Sequence, residues 1–374
     1  MIIVQQPISL EQLPSSAAIL PRDTVFFDIE TTGLSRRSSH LYMIGTAAFE
    51  KDRYILTQWL LQRPSEEREV LELFASYVKQ FKAIIHYNGQ TFDLPYLRDR
   101  CRHWNLPDPF PENSICSLDL YRELLPMKKL LPLSSMKQKD LELLLAFPRE
   151  DRMSGKELIS VYHHYLEQAG EKELQLLLLH NRDDLLGMLS IYPFYLYLHR
   201  LSEASGSNLQ DEPSTADPFL LFDLPQNVLI RNDTLTLQIK TAVSCPKELH
   251  FRGEAAAMHI LQDQITLQVY GTRGLLRHYF SNYKDYYYLP LEDTAVHKSV
   301  GIYVDPSCRR KAKADNCYTK KEGLFFFQPQ PVFQPDFRKD TRKGPSFFPS
   351  DLIEKDPSLL QEYSCALISF LLKP

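Results

Sequence analysis

The chain has 374 residues, 44% hydrophobic and 24% charged, which suits a soluble globular protein with length enough for two ordinary domains. Its net charge of −4 provides no global attraction to nucleic acid, so any such binding would depend on local patches. Cys101, Cys116, Cys245, Cys308, Cys317 and Cys365 are scattered without a C-x-x-C pair, which points to free thiols in a reducing cytosol.

Residues 1–5 lack the basic start of a secretion signal, and no segment approaches about 18 uninterrupted apolar residues. A cytoplasmic protein without a membrane span is the expectation. Residues 1–23 hold Pro7, Pro14 and Pro21 and read as a lead-in packed on the first domain. A strand follows at 24–28. Gly33 suits a turn, and Ser35–Ser39 an exposed loop. Residues 41–49 and 54–61 are rich in β-formers and separated by the charged 50–53, which predicts a hairpin.

Apolar residues at helical spacing predict a helix over 66–81, then a buried strand at 83–87. Asn88-Gly89 turns the chain, and Thr91 is placed to cap a helix over 92–104. Further helices are expected at 119–125, 136–145, 156–166 (opened by Ser154) and 172–200, the last broken near Pro193. The order of elements defines an α/β domain with a mixed sheet. Residues 202–218 read as a polar linker. Beyond it, 234–242, 264–270, 285–291, 299–304 and 324–327 are strand-like, 331–349 is irregular, and 358–372 is a closing helix.

The chemistry gathers around Asp28 and Glu30. Two apart on a strand, they share a face at the end of an apolar run. Adjacent carboxylates at the edge of a core repel each other and resist desolvation, and a cation removes both penalties. Asp93 falls in the first turn of a helix, a position that favours an acid even without a metal. His180 and Asp184 are four apart and share a helix face, while Asp183 points about 100° away toward solvent or an Arg. Asp119, near a helix start, reads as a structural acid rather than a further ligand. Tyr87, Tyr96, Tyr162 and Tyr165 read as core or groove wall.

Asp28-Ile-Glu30-Thr-Thr-Gly33-Leu34, then Asn88-Gly-x-x-Phe92-Asp93-x-Pro95-x-Leu97, then His180-x-x-x-Asp184 resemble the three exonuclease motifs of the DEDD superfamily of ribonuclease H-like 3′→5′ exonucleases. Ser154-Gly-Lys-Glu157, Tyr162, Tyr165 and Asn181-Arg-Asp-Asp184-Leu are similar to the ending of the bacterial YprB-type ribonuclease H-like family. The resemblance covers roughly residues 22–200. It implies a five-stranded ribonuclease H-like sheet flanked by helices in an exonuclease domain at 1–201, leaving a β-rich accessory domain of unknown family at 219–374.

It also implies a two-metal phosphodiesterase acting on 3′ ends of single-stranded DNA or RNA. Asp28, Glu30, Asp93 and Asp184 would hold two Mg²⁺ or Mn²⁺ ions, which suit hard oxygen ligands. Superfamily members place a Tyr four residues before the last Asp or a His five before it. Here a His stands at the four-residue spacing, as the candidate that holds and deprotonates the attacking water. Thr31, Leu34, Asn88 and Phe92 are candidates to contact the terminal nucleotide, though each also fits a turn or core role. The alternative is a catalytically degenerate nuclease fold that serves as a nucleic-acid-binding or protein-interaction module. The accessory domain is a candidate for docking a protein partner. Its residues 301–343 hold ten Lys or Arg against five Asp or Glu, interleaved with Tyr318, Phe325, Phe326, Phe327, Phe333 and Phe337. That mixture fits either nucleic-acid contact or a solvated loop beside a strand core.

Overall fold

The computed structural model describes residues 1–9, 20–111, 114–206 and 225–373. Pro14 of the lead-in and residues 207–218 of the expected linker lie outside the described residues. The chain divides into two compact units, Met1–Tyr197 and Leu198–Pro374.

The first unit is built on a mixed sheet of six strands: β1 (Ile2–Pro7), β2 (Thr24–Thr31), β3 (Leu41–Glu50), β4 (Arg53–Leu60), β5 (Ala83–His86) and β6 (Cys116–Asp119), in the order β1-β4-β3-β2-β5-β6. Strands β2, β3 and β4 are antiparallel, whereas β5 and β6 run parallel to β2. The sheet has one strand more than expected. The lead-in supplies β1, which pairs antiparallel with β4 along the sheet edge. The β3–β4 turn uses Lys51 and Asp52, both with positive φ (46° and 65°), the geometry that suits a two-residue hairpin.

Six helices accompany the sheet: α1 (Glu67–Val78), α2 (Asp93–His103), α3 (Leu120–Leu124), α4 (Gln138–Leu144), α5 (Gly155–Gln168) and α6 (Glu171–Gly206). Phe27 and Ile29 of β2 point to the face covered by Val70, Phe74, Leu94 and Leu97 of α1 and α2. On the other face Tyr42, Met43 and Leu60 meet Leu158, Tyr162 and Tyr165 of α5 and Leu177 of α6. Alternation along β2 therefore directs Phe26, Asp28 and Glu30 toward α6, and Phe26 meets Tyr192 edge to face at 5.7 Å.

Two local expectations fail here. Thr91 does not cap α2: its hydroxyl donates to the Asn88 carbonyl and side chain, tightening the preceding turn. Helix α6 does not break at Pro193 but continues through residues 202–206, the start of the expected linker. A proline inside a helix costs about 3 kcal/mol. Here Ile191, Phe194, Tyr197 and Leu198 are buried around it, and each such side chain recovers roughly 1.5–3 kcal/mol. Ser154 does open α5, through a full capping box with Glu157.

The second unit is mostly β. A five-stranded antiparallel sheet, β7-β8-β11-β10-β9, comprises β7 (Asn227–Arg231), β8 (Thr234–Lys240), β9 (Leu249–Arg252), β10 (Ala256–Leu261) and β11 (Gln264–Tyr270). Two three-stranded sheets follow. One holds β12 (Thr272–Tyr279), β16 (Tyr318–Gln328) and β17 (Ser346–Pro349); the other holds β13 (Tyr286–Leu289), β14 (Thr294–His297) and β15 (Arg310–Lys311). Short helices α7 (Lys298–Gly301) and α8 (Leu352–Lys355) and the closing α9 (Leu360–Leu372) complete it.

Residues 299–304 are thus not a strand. His297 caps the single turn of α7 by accepting from the Ser299 N–H, and the backbone then turns through Val304. The aromatics interleaved with charge in 301–343 are mainly core. Phe325, Phe326, Phe333 and Phe337 are at most 3% exposed, so they are not open platforms for bases. Several neighbouring cations are also paired, Lys320 with Asp293, Lys321 with Asp351 and Arg338 with Asp336. All six cysteines are free, and Cys317 is buried. Among the described residues no helix is long and apolar enough to cross a membrane.

Candidate active site

Strand β2 delivers Asp28 and Glu30 to the face covered by α6, the helix that carries His180, Asn181 and Asp184. Asp28 keeps some exposure, whereas Glu30 is buried. Asn181 Nδ2 donates to Asp28 Oδ2 at 3.0 Å, and Gln58 Nε2 donates to Asn181 Oδ1 at 3.0 Å. The register explains this bridge. Asp28, Gly45 and Gln58 form one row across β2, β3 and β4. Asn181 spans the row above Gly45, where a Cβ would come within 1.9 Å of its Oδ1. Only glycine leaves room there.

His180 Nε2 stands 3.3 Å from Asp184 Oδ2 and 3.7 Å from Glu30 Oε1. One ligand atom from each of Glu30, His180 and Asp184 lies within 4.8 Å of the others. The opposite ring nitrogen, Nδ1, is 2.7 Å from Asp151 Oδ2. An ionised carboxylate only accepts, so Nδ1 carries the proton in this contact. In the neutral ring Nε2 would then turn its lone pair toward two carboxylates, which a proton or a cation between them relieves.

Asp93 enters from the N-terminus of α2 and is buried. Burial raises its pKa to about 7, against hydrogen bonding from its own and the Ile29 backbone. Burial also raises Asp28 and Glu30 well above the ordinary carboxylate range. Glu30, Asp184 and Asp93 add repulsion at Asp28; Asp184, Asp93 and Asp151 add it at Glu30. The Tyr42 hydroxyl, 3.4 Å from Glu30 Oε2, works in the opposite direction. The four acids named from the sequence therefore share one electrostatic neighbourhood.

A second ring of residues was not visible in the sequence. Arg149 Nη2 pairs with Asp184 Oδ1 at 2.7 Å and Asp151 Oδ2 at 3.1 Å, and its Nη1 with Glu142 at 3.0 Å. Burial opposes the charge on Asp151, but the Met153 N–H, His180 and Arg149 overcome it and hold the acid near 2. Asp183 does not face solvent. It is buried and accepts from the Glu150 and Asp151 N–H groups at 2.7 and 2.8 Å, besides pairing with Arg182. The tandem acids on α6 thus divide their work: Asp184 faces the acid cluster, while Asp183 latches the loop that carries Asp151.

The candidate substrate contacts separate. Leu34 is 85% exposed. Phe92 packs on the core and against Tyr96, ring centroids 5.4 Å apart. The Thr31 hydroxyl donates to the Gly33 carbonyl at 3.0 Å, and Asn88 holds a positive φ of 60° while its N–H donates to Asp119 at 2.8 Å. Asp119 also accepts from Gln90, Tyr121 and Arg122 as the cap of α3.

Residues 25–195 match the family model described as RNase_H superfamily. With the mixed sheet and its acidic strand end, that match places this region in the ribonuclease H-like superfamily, whose members are generally hydrolytic nucleases that use divalent metals. Within that superfamily the region is similar to a YprB-type protein. It is 28% identical over 173 residues to YprB of Bacillus subtilis (strain 168), described as an uncharacterized protein. That similarity spans 45% of this chain and 40% of YprB, less than half of either. The chain is also similar in structure to a family B DNA polymerase of the hyperthermophilic archaeon Pyrobaculum calidifontis. The TM-score is 0.42 at 13% identity, covering 94% of this chain and 46% of the polymerase.

Proposed function

We propose that the first unit is a metal-dependent 3′→5′ exonuclease that hydrolyses phosphodiester bonds in single-stranded DNA or RNA. The observation that carries this reading is geometric: ligand atoms of Glu30 on β2 and of His180 and Asp184 on α6 lie within 4.8 Å of one another, and Asn181 of the same helix holds Asp28 beside them. Asp28, Glu30 and Asp93, raised above the ordinary carboxylate range by burial first and by neighbouring acids, are donors short of positive charge. All are oxygen donors, which fits Mg²⁺ or Mn²⁺. Asp28, Glu30, Asp93 and Asp184 would hold two such ions, which when bound supply charge neutralisation at the scissile phosphate.

The chain's own groups would do the rest. Asp151 fixes the His180 ring through Nδ1, leaving Nε2 toward the acids to orient a water and take its proton. Asn181 keeps Asp28 turned toward α6. Leu34, exposed beside the β2 end, would contact the terminal base. A second reading of His180 has its own support. Its Nε2 groups with Glu30 and Asp184 as one of three possible ligand atoms, so it would serve as a ligand rather than a base.

The test is a Mn²⁺-dependent digestion panel of 3′-labelled single- and double-stranded DNA and RNA, with Asp28→Asn beside the native chain. Stepwise shortening of single strands, lost in Asp28→Asn, is expected. Tight binding without shortening in either protein would instead leave a degenerate fold that only binds nucleic acid.

A further inference from the structure

The second unit carries a different cluster, on the outer face of its five-stranded sheet. His250 of β9 and His259 of β10 sit directly opposite each other in antiparallel register. Their flanking residues Leu249, Phe251, Met258 and Ile260 are buried, so the strand alternation sends both imidazoles outward. The rings stack with centroids 4.3 Å apart and planes within 5°. Glu248, one residue before β9, places Oε1 2.7 Å from His259 Nε2 and 3.3 Å from His250 Nε2. One ligand atom from each of the three lies within 4.8 Å of the others. A small cavity of about 80 Å³ opens on the same face, with Thr266, Gln268 and Tyr270 of β11 along its wall.

We propose that Glu248, His250 and His259 form a three-ligand site for a zinc-class divalent cation. The donor chemistry separates it from the acid cluster of the first unit. Two imidazoles and one carboxylate favour zinc-class ions over Mg²⁺, which prefers all-oxygen surroundings. The spacing fits as well. Metal–ligand bonds of about 2.0–2.2 Å in a tetrahedral array put donor atoms roughly 3.3 Å apart. The Glu248–His250 separation already has that value, and the Glu248–His259 separation reaches it by a small rotation of an exposed carboxylate.

The sheet also pre-orders the pair. Cross-strand register fixes both histidine Cα positions, so ion binding orders only the side-chain torsions of residues already in contact. The His250 and His259 side chains are 58% and 36% exposed, so the fourth coordination position faces solvent and stays open to a water or to a donor from a bound molecule. An ion there would tie the β9 edge of the sheet to β10.

The experiment uses the full chain with Mg²⁺ in large excess, so that the acid cluster of the first unit is saturated with a hard cation. Co²⁺ serves as the spectroscopic probe and Zn²⁺ as its competitor. One equivalent of Co²⁺ with visible bands of low-coordinate, nitrogen-containing geometry is expected, displaced by Zn²⁺. The bands should vanish in the His250→Asn, His259→Asn double variant and persist in His180→Ala. Circular dichroism establishes that each variant is folded, and Glu248→Gln gives a second, milder test with an expected weakening of at least about tenfold. Absence of Co²⁺ binding in the native chain would overturn the proposal. So would bands that survive in the folded double variant or disappear in His180→Ala.

Discussion

Asp151 Oδ2 lies 2.7 Å from His180 Nδ1 and makes a pair of the loop before α5 and the third turn of α6. In this arrangement the carboxylate selects the tautomer that leaves Nε2 free toward Glu30 and Asp184. Asp151 is a positioning residue, since it reaches the acids only through the ring. Asp151→Asn keeps the size but weakens the acceptor and permits the amide to turn its NH₂ toward Nδ1. On the proposed function, the single-turnover rate on 3′-labelled single strands should fall about 10²-fold or more, as when a base loses its orienting acid. The KM should change little, and Asp151→Glu should restore part of the rate. A rate within twofold of the native chain in Asp151→Asn would remove Asp151 from the mechanism.

How much of this was legible beforehand follows from what sequence spacing encodes. Asp28 with Glu30, and His180 with Asp184, are local pairs whose separations match the strand and helix periods, so each declared a shared face. Asp151, Arg149, Glu142 and Gln58 join the cluster by tertiary approach, and nothing in their neighbourhoods marks them; Asn181 stood in a motif, but its bridge to Asp28 did not show in the spacing. The edge strand β1 was hidden by its length and its three glutamine and proline residues. The second unit misled for a related reason. Charged and aromatic residues alternating along a strand look alike whether the aromatics stack on bases or, like Phe325 and Phe337, fill a core.

Arg149 brings a largely buried positive charge into the acid cluster. Its guanidinium meets Asp184, Asp151 and Glu142, and its side chain is 11% exposed. Arg149→Met would take the guanidinium from Glu142 and Asp184, while Asp151 keeps Lys139 and His180, a loss of roughly 3–5 kcal/mol for a buried pair broken on one side. Thermal melts in EDTA should show that fall, and saturating Mn²⁺ should recover part of it by supplying charge beside Asp184. An unchanged melting temperature in EDTA would contradict the ion-pair geometry.

The acids also set a pH dependence. Asp28, Glu30 and Asp93 have folded pKa values raised above their unfolded ones, Asp93 to about 7. Through Asp93 the folded state therefore holds an extra proton between the unfolded value of 3.8 and about 7, a contribution to stability that is fully present below the unfolded value and lost as pH rises through 7. Asp28 and Glu30, also raised, contribute with the same sign. In EDTA the melting temperature should accordingly show a downward component between pH 5 and 8 that Asp28→Asn reduces. Divalent cations compete with those protons, so Mn²⁺ affinity measured by calorimetry should strengthen over the same interval, with proton release on binding. Affinity independent of pH from 5 to 8 would contradict the assignment of these acids as ligands.

Gly45 offers the most selective perturbation, because it is remote in sequence from every acid yet sets the position of one. A Cβ at this residue would stand 1.9 Å from Asn181 Oδ1 and 2.6 Å from its Cγ. The backbone there is regular strand, paired to Asp28 on one side and Gln58 on the other, so alanine strains no torsion. The whole effect of Gly45→Ala must then pass through Asn181, which has to leave both Gln58 and Asp28. Overpacking of this kind costs about 1–3 kcal/mol, and freeing Asp28 Oδ2 from its amide donor raises the Asp28 pKa further. Asn181→Ala removes the same donor without the clash. Gly45→Ala and Asn181→Ala should therefore weaken Mn²⁺ binding alike, and the double variant should bind no more weakly than the worse single one. Additive losses in that cycle would show that Gly45 acts by another route than the Asn181 bridge.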